Sequence, residues 1–120
     1  MWNFNSDKPV YMQIVDEIKA RIISGEYTAG QRIPSVRELA EEARVNPNTM
    51  QKALSETERQ GLIFSMRTSG KYITNDEIKI AELKSDTAKG ECEAFISRMS
   101  KLGFSKNEIL TIISDIIHNM

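Results

Sequence analysis

The 120-residue sequence predicts a mainly α-helical chain with one small β-hairpin. Three observations carry that prediction. Five segments set apolar residues at helical spacing, several of them behind recognisable caps. Two short runs, Leu62-Ile63-Phe64-Ser65-Met66 and Lys71-Tyr72-Ile73-Thr74, flank the turn Arg67-Thr68-Ser69-Gly70 and read as a hairpin. Residues 76–120 carry helical patterning alone.

The first helix spans residues 9–24, where Val10, Tyr11, Ile14, Val15, Ile18 and Ile22 fall on one stripe. Pro9 suits its first helical position, because the missing N–H would be unsatisfied there anyway. Gly25 is the expected stop. Ser24–Pro34 is rich in turn residues and reads as a loop. Ser35-Val36-Arg37-Glu38 is a capping box that opens a short helix, with Leu39 and Ala40 on its buried side, ending near Ala43 and Arg44.

Asn46 and Pro47 then start a third helix over residues 47–60, as N-cap and first helical residue. Met50, Ala53, Leu54 and Thr57 project to one side of it. Asn48, Lys52, Ser55 and Arg59 lie opposite, with Thr49 and Gln51 at the flanks, and Gly61 closes the helix. The hairpin follows at residues 62–74 with a basic tip. Three helices and a hairpin, the third helix polar outside, make a winged helix-turn-helix layout over residues 1–75.

Residues 76–120 read as two further helices. The first runs from Asn75 or Asp76 to about Leu102, with Ala88, Cys92, Phe95, Ile96, Met99 and Leu102 on one stripe. Gly90 is a soft spot in it, and a break near Ser85 stays open. Gly103 marks the turn, and Ser105-Lys106-Asn107-Glu108 caps the last helix. There Ile109, Leu110, Ile112, Ile113, Ile116 and Ile117 spread over about 160°, wider than the usual apolar stripe of about 100°.

Charge is informative by placement. Sixteen basic and 17 acidic residues leave a formal net charge of −1, so no whole-chain basic signature for nucleic acid exists. Yet Arg44–Asn75 holds five basic and two acidic residues, whereas Asp76–Met120 holds six and eight. One cysteine, Cys92, excludes an internal disulfide and fits a reducing compartment. No apolar run approaches the about 20 residues of a membrane span, and no signal peptide is visible, so a cytoplasmic protein with no membrane partner is expected. A single histidine, His118, far in sequence from Cys92, gives no metal-ligand spacing and no Ser/His/Asp set. No enzyme activity, metal or cofactor is expected. Cys92 is expected to pack in its helical stripe, and Trp2 and Phe4 over the first helix, over the tail or in a dimer contact.

A helix N-terminus presents free N–H groups and partial positive charge, and suits phosphate. Asn and Gln side chains can bond adenine in the major groove, and a threonine methyl can pack on thymine. Asn48, Thr49, Gln51 and Lys52 fit that role, as the leading residues of the second helix of a helix-turn-helix do. Arg37 fits a phosphate contact, and Arg67 and Lys71 fit phosphate or a minor groove. The alternative is a winged-helix protein-interaction module without DNA binding, which would show exposed apolar anchors on the same face.

The run IPSVRELAEEARVNPNTMQKALSETERQGLIFSMRTSGKYI closely resembles the N-terminal DNA-binding domain of GntR-family transcription regulators, and PVYMQIVDEIKARIISGEYTAGQRIPS resembles that family's first helix and loop. The VNPNT segment and the short two-helix tail are similar to the YtrA subfamily. The resemblance implies a dimeric regulator, usually a repressor, bound to a palindromic double-stranded DNA operator, and for this subfamily one that often sits beside ABC-transporter genes. It places DNA-binding positions at Ser35 and Arg37 of P-S-x-R, at Asn46, Asn48, Thr49, Gln51 and Lys52 of the recognition helix, and along the wing from Arg67 through Ser69 and Gly70 to Lys71. Three positions depart from the family pattern. Its G-x-G wing reads Thr68-Ser69-Gly70 here, its inter-helix glycine is Arg44, and a usual core leucine is Thr57. Arg44 costs ~1 kcal/mol if that position is left-handed.

Two tail helices with stripes this wide cannot bury them against each other alone. A two-fold homodimer using Phe95, Ile96, Met99, Leu102, Ile109, Ile112, Ile113, Ile116 and Ile117 on both chains is therefore expected. Residues 76–120 form the dimerisation domain in this reading. A small-molecule effector, unidentified, would bind at the dimer interface or between the tail and the DNA-binding domain, because two helices leave little room for a pocket of ~300 Å³ or more.

Overall fold

The computed structural model describes residues 2–120. Its helices are α1 Val10–Ile23, α2 Val36–Ala43, α3 Pro47–Arg59, α4 Glu77–Lys101 and α5 Lys106–His118, with strands β1 Ile63–Met66 and β2 Gly70–Ile73 between α3 and α4. The chain divides into two compact units, one ending at Leu83 and the other spanning Lys84–Met120.

The first unit is a winged helix. Its core joins Ile14, Val15, Ile18 and Ile22 of α1, Leu39, Ala40 and Ala43 of α2, Met50, Ala53 and Leu54 of α3, and Leu62, Ile63 and Ile73 of the hairpin. α3 packs against α1, α2 and β1. Met50 and Leu54 are fully buried and fix the helix whose opposite side faces outward. Removing one such side chain to alanine typically costs about 2–5 kcal/mol. Tyr27 and Ile33 of the loop after α1 also enter the core, and Ile80 and Leu83 of α4 pack against it.

The caps explain where the helices begin. Ser35 Oγ accepts from Glu38 N at 3.1 Å, and Glu38 Oε1 accepts from Ser35 N at 3.0 Å, a complete capping box. Asn46 Oδ1 accepts from Asn48 N at 2.7 Å, with Pro47 in the first helical turn. Pro9 is the N-cap of α1 and not its first helical residue. α3 ends one residue before the expected limit, because Gln60 is its C-cap and Gly61 follows at φ 79°.

Arg44 occupies the turn between α2 and α3 at φ 58° and ψ 46°, the left-handed region. Among the described residues no other non-glycine residue has a positive φ. Thr57 is fully buried where the family resemblance places a leucine. Its hydroxyl donates to Ala53 O at 2.8 Å, so the polar group is satisfied within the helix.

β1 and β2 pair antiparallel with Ile63 opposite Ile73, Phe64 opposite Tyr72, Ser65 opposite Lys71 and Met66 opposite Gly70. The stretch expected as plain loop contributes to this sheet. Arg32 bridges Tyr72. Ile33 N donates to Lys71 O at 3.0 Å, and Ile73 N donates to Gln31 O at 2.8 Å. An isolated bridge at Arg32 thus sits along β2 beside the two-stranded sheet.

The N-terminal aromatics belong to the winged-helix unit. Trp2 and Phe4 pack against its core, Trp2 Nε1 donates to Glu42, and the Arg21 guanidinium lies 4.5 Å from the Trp2 ring centroid. Arg21 also meets Glu17, Glu26 and Glu42 at 2.9, 3.2 and 3.3 Å. Burial works against its charge, but the Glu17 hydrogen bond and the Tyr27 and Glu42 contacts outweigh it and hold its pKa above the ordinary arginine value.

α4 is continuous through Ser85 and Gly90. The second unit holds the rest of α4, a turn with Gly103 at φ 98°, and α5 behind a second capping box from Ser105 to Glu108. Cys92 is exposed, not packed as expected. No helix among the described residues is long and apolar enough to cross a membrane.

Candidate nucleic-acid interface

The interface begins with what α3 leaves outside. Its buried side is Met50, Ala53, Leu54 and Thr57. Asn46, Asn48, Gln51 and Lys52 are exposed, and Thr49 is half-buried at the flank. Among the described residues no large apolar side chain is exposed on α3; the exposed ones of the first unit are Val10, Met12, Met66 and Ile78.

These groups differ in how far the protein already uses them. Asn46 spends its carbonyl oxygen on the cap, as Ser35 spends its hydroxyl oxygen. Gln51 Nε2 donates to Ser55 Oγ at 3.1 Å, an exposed bond one turn along the helix. Asn48 makes no side-chain hydrogen bond among the described residues and sits in the first turn of α3. Lys52 leans over Tyr11 of α1, its ammonium 4.1 Å from the ring centroid.

The cations divide in the same way. Arg37, in the first turn of α2, and Arg67, at the hairpin tip, are exposed and enter none of the ion pairs among the described residues. Lys71 behaves otherwise. Its ammonium donates to Glu58 Oε1 at 3.1 Å and to Ser65 Oγ at 2.8 Å, and Ser65 also donates to Glu58 at 2.9 Å. Strand alternation turns Lys71 toward the end of α3, so it ties the hairpin to α3. The same bond holds the Glu58 carboxyl below its ordinary pKa. Arg59 is likewise held by Glu56, whose pKa the Arg59 and Gln60 hydrogen bonds lower to about 2.

At the wing tip, Ser69 Oγ accepts from the Tyr72 hydroxyl at 2.9 Å, and Tyr72 stacks on Phe64 across the strands. Gly70 takes φ 105°, a conformation that disfavours any side chain. Met66 is half exposed beside Arg67.

Comparison with known proteins decides the family. The model for "Bacterial regulatory proteins, gntR family" matches residues 10–73. The chain belongs to the GntR family. It is 40% identical over 107 residues to the uncharacterised HTH-type transcriptional regulator YhcF of Bacillus subtilis, covering 89% of this chain and 88% of that one. It is 42% identical over 71 residues to the HTH-type transcriptional repressor YtrA of the same organism, covering 59% of this chain and 55% of YtrA. A GntR family transcriptional regulator from Listeria monocytogenes superposes with a TM-score of 0.87 at 45% identity, covering 93% and 98% of the two chains. AraR(DBD) in complex with operator ORR3 matches at a TM-score of 0.53 and 29% identity, over 62% of this chain and 92% of that one.

The chain is thus a winged-helix transcription regulator of that family, and the matched residues 10–73 fall within the first unit. One member of the basic set escaped the sequence reading. Arg32 lies in the stretch read as loop, one residue before the buried Ile33, and is exposed beside the wing. The available signal was its place in the basic-apolar sequence leading into the Ser35 cap, which helical periodicity does not register.

Proposed function

We propose that this protein is a homodimeric repressor that binds a palindromic DNA operator, with α3 in the major groove and the wing at the adjacent minor groove. The observation that carries the reading is the outer face of α3. It is capped, exposed and built of amide, hydroxyl and ammonium groups, with no apolar anchor on it. That composition suits base edges and offers a protein partner no buried hot spot. The AraR(DBD) complex supports the same use of a related winged helix, and the repressor YtrA supports the sign of regulation.

Asn48, Thr49 and Gln51 read base edges in this proposal. Arg37 and Arg67 hold phosphates, and the Ser35 and Asn46 caps aim the two helix starts. Ser69, Gly70 and Lys71 shape the wing rather than contact the duplex first. Dimerisation is proposed through the tail. Ile96, Leu102, Ile116 and Ile117 are exposed in the single chain at 38, 73, 57 and 65%, while Phe95, Met99, Ile112 and Ile113 are half-buried. Ile109 is already buried in the single chain and adds nothing to a presented surface.

Binding selection from a random duplex pool, with wild type, Gln51→Ala and Arg37→Ala, tests the assignment. Gln51→Ala should cost ~1–3 kcal/mol on the preferred sequence and relax preference at one base pair per half-site. Arg37→Ala should weaken all sequences alike. Identical preferences in all three proteins, with binding intact, would remove Gln51 from the reading surface.

A further inference from the structure

The wing and the start of α2 are joined through one residue. Arg32 pairs by its backbone with Tyr72 of β2, so its Cα is fixed by the sheet and not by a mobile loop. Its guanidinium lies along the wing toward the tip. A Cβ built on Gly70 would stand 3.3 Å from Arg32 Nε and 3.5 Å from its outer nitrogen, so the guanidinium passes close against the backbone of the wing at Gly70. In the other direction the charge reaches α2. The Glu38 carboxyl is held below its ordinary pKa by the Ser35 backbone and side-chain hydrogen bonds, with Arg32 adding to the effect. The guanidinium nonetheless makes no hydrogen bond or ion pair among the described residues.

An arginine has five donors in a rigid fork, and a placement that fixes its backbone yet leaves those donors exposed does not stabilise the fold through them. We propose that Arg32 is a DNA-phosphate contact, held by the sheet between the wing tip and the first turn of α2, so that the two elements engage the duplex backbone as one unit. The proposal rests on the DNA-binding reading above. It adds a contact that neither helix of the helix-turn-helix supplies.

The test is a salt titration of binding, using a duplex recovered by selection and a scrambled duplex of equal length. Wild type, Arg32→Gln, Arg32→Lys and Lys84→Gln are compared, the last being an exposed charge removal in the tail. Each lost phosphate contact lowers the slope of log affinity against log salt by about 0.9, so the affinity drop between 50 and 200 mM salt shrinks by about 3.5-fold per protomer. Arg32→Gln should show that change equally on both duplexes. Arg32→Lys should recover the slope, and Lys84→Gln should match wild type. Melting of the same variants guards against misfolding, since Arg32→Lys keeps the backbone pairing. An Arg32→Gln slope equal to wild type would overturn the proposal, as would a loss confined to the selected duplex. If wild type itself binds neither duplex, the DNA-binding reading fails and Arg32 falls with it, a result distinct from either of those.

Discussion

Arg44→Gly should make the protein more stable. Arg44 caps α2 at φ 58° and ψ 46°, and left-handed backbone costs an L-residue about 1–2 kcal/mol. Glycine removes that cost but gives the unfolded chain more freedom, which takes back about 0.4–1 kcal/mol. The hydrogen bonds at this turn, Arg44 N to Glu41 O at 3.2 Å and Val45 N to Ala40 O at 3.0 Å, are all backbone and survive the change. The side chain is exposed and in none of the ion pairs among the described residues, so little else is lost. The net gain is about 0.5–1 kcal/mol, and a domain of this size converts it to a rise of about 2–8 °C in Tm. Urea unfolding followed by far-UV circular dichroism should show a higher midpoint at unchanged slope. Arg44→Ala keeps the strain and should show no rise. A midpoint for Arg44→Gly at or below wild type would refute the reasoning. It would mean that the arginine contributes more than its backbone costs, the place to look being the surface pocket of about 560 Å³ that it lines with Trp2, Arg21, Glu42 and Ala43.

Two other outcomes follow from the tail and the wing. Ile116→Asp puts a charge into the proposed shared surface at a side chain 57% exposed in the single chain, so it should abolish the dimer in light scattering while leaving the fold of the monomer intact. A wild-type protein that is monomeric at micromolar concentration would end the dimer proposal. Glu58 has a folded pKa below its unfolded value of about 4.3, through its hydrogen bonds to Lys71 and Ser65, so its contribution is complete above that pH and is lost as pH falls through the folded value. Hydrogen exchange of the hairpin amides should quicken across that window in wild type and be insensitive to it in Glu58→Gln. Equal pH dependence in both would show that the staple does not hold the wing.

Much of this was legible because the signals are local. Ser35-Val36-Arg37-Glu38 and Asn46-Pro47 announce helix starts through groups within three residues, and the structure places both caps where the sequence put them. The buried side of α3 follows from spacing alone. What the sequence did not show depends on partners distant along the chain. Lys71 looks like a free cation until the fold brings it to Glu58, 13 residues earlier. Arg32 looks like loop until β2 arrives beside it. Trp2 needs Glu42, 40 residues on, to be placed at all. Ile109 reads as one more apolar residue of α5, and only the folded chain distinguishes it, buried, from Ile116 and Ile117, exposed.

The distribution of used and unused charge bears on how such an interface would discriminate. With a formal net charge of −1, the chain as a whole gives little long-range attraction to a polyanion, so attraction must come from local groups. The cations nearest the reading face are internally engaged, Lys52 by Tyr11, Arg59 by Glu56 and Lys71 by Glu58. Arg32, Arg37 and Arg67, which enter no ion pair among the described residues, stand on the neighbouring elements, while the tip of α3 keeps Asn48, Thr49 and Gln51 without charge. On the proposed interface the charged groups therefore position the protein on any duplex and the neutral ones choose among sequences. Added salt would then weaken operator and non-operator binding with nearly the same slope, and the ratio between them would hold, because the groups that set the ratio release no counterions.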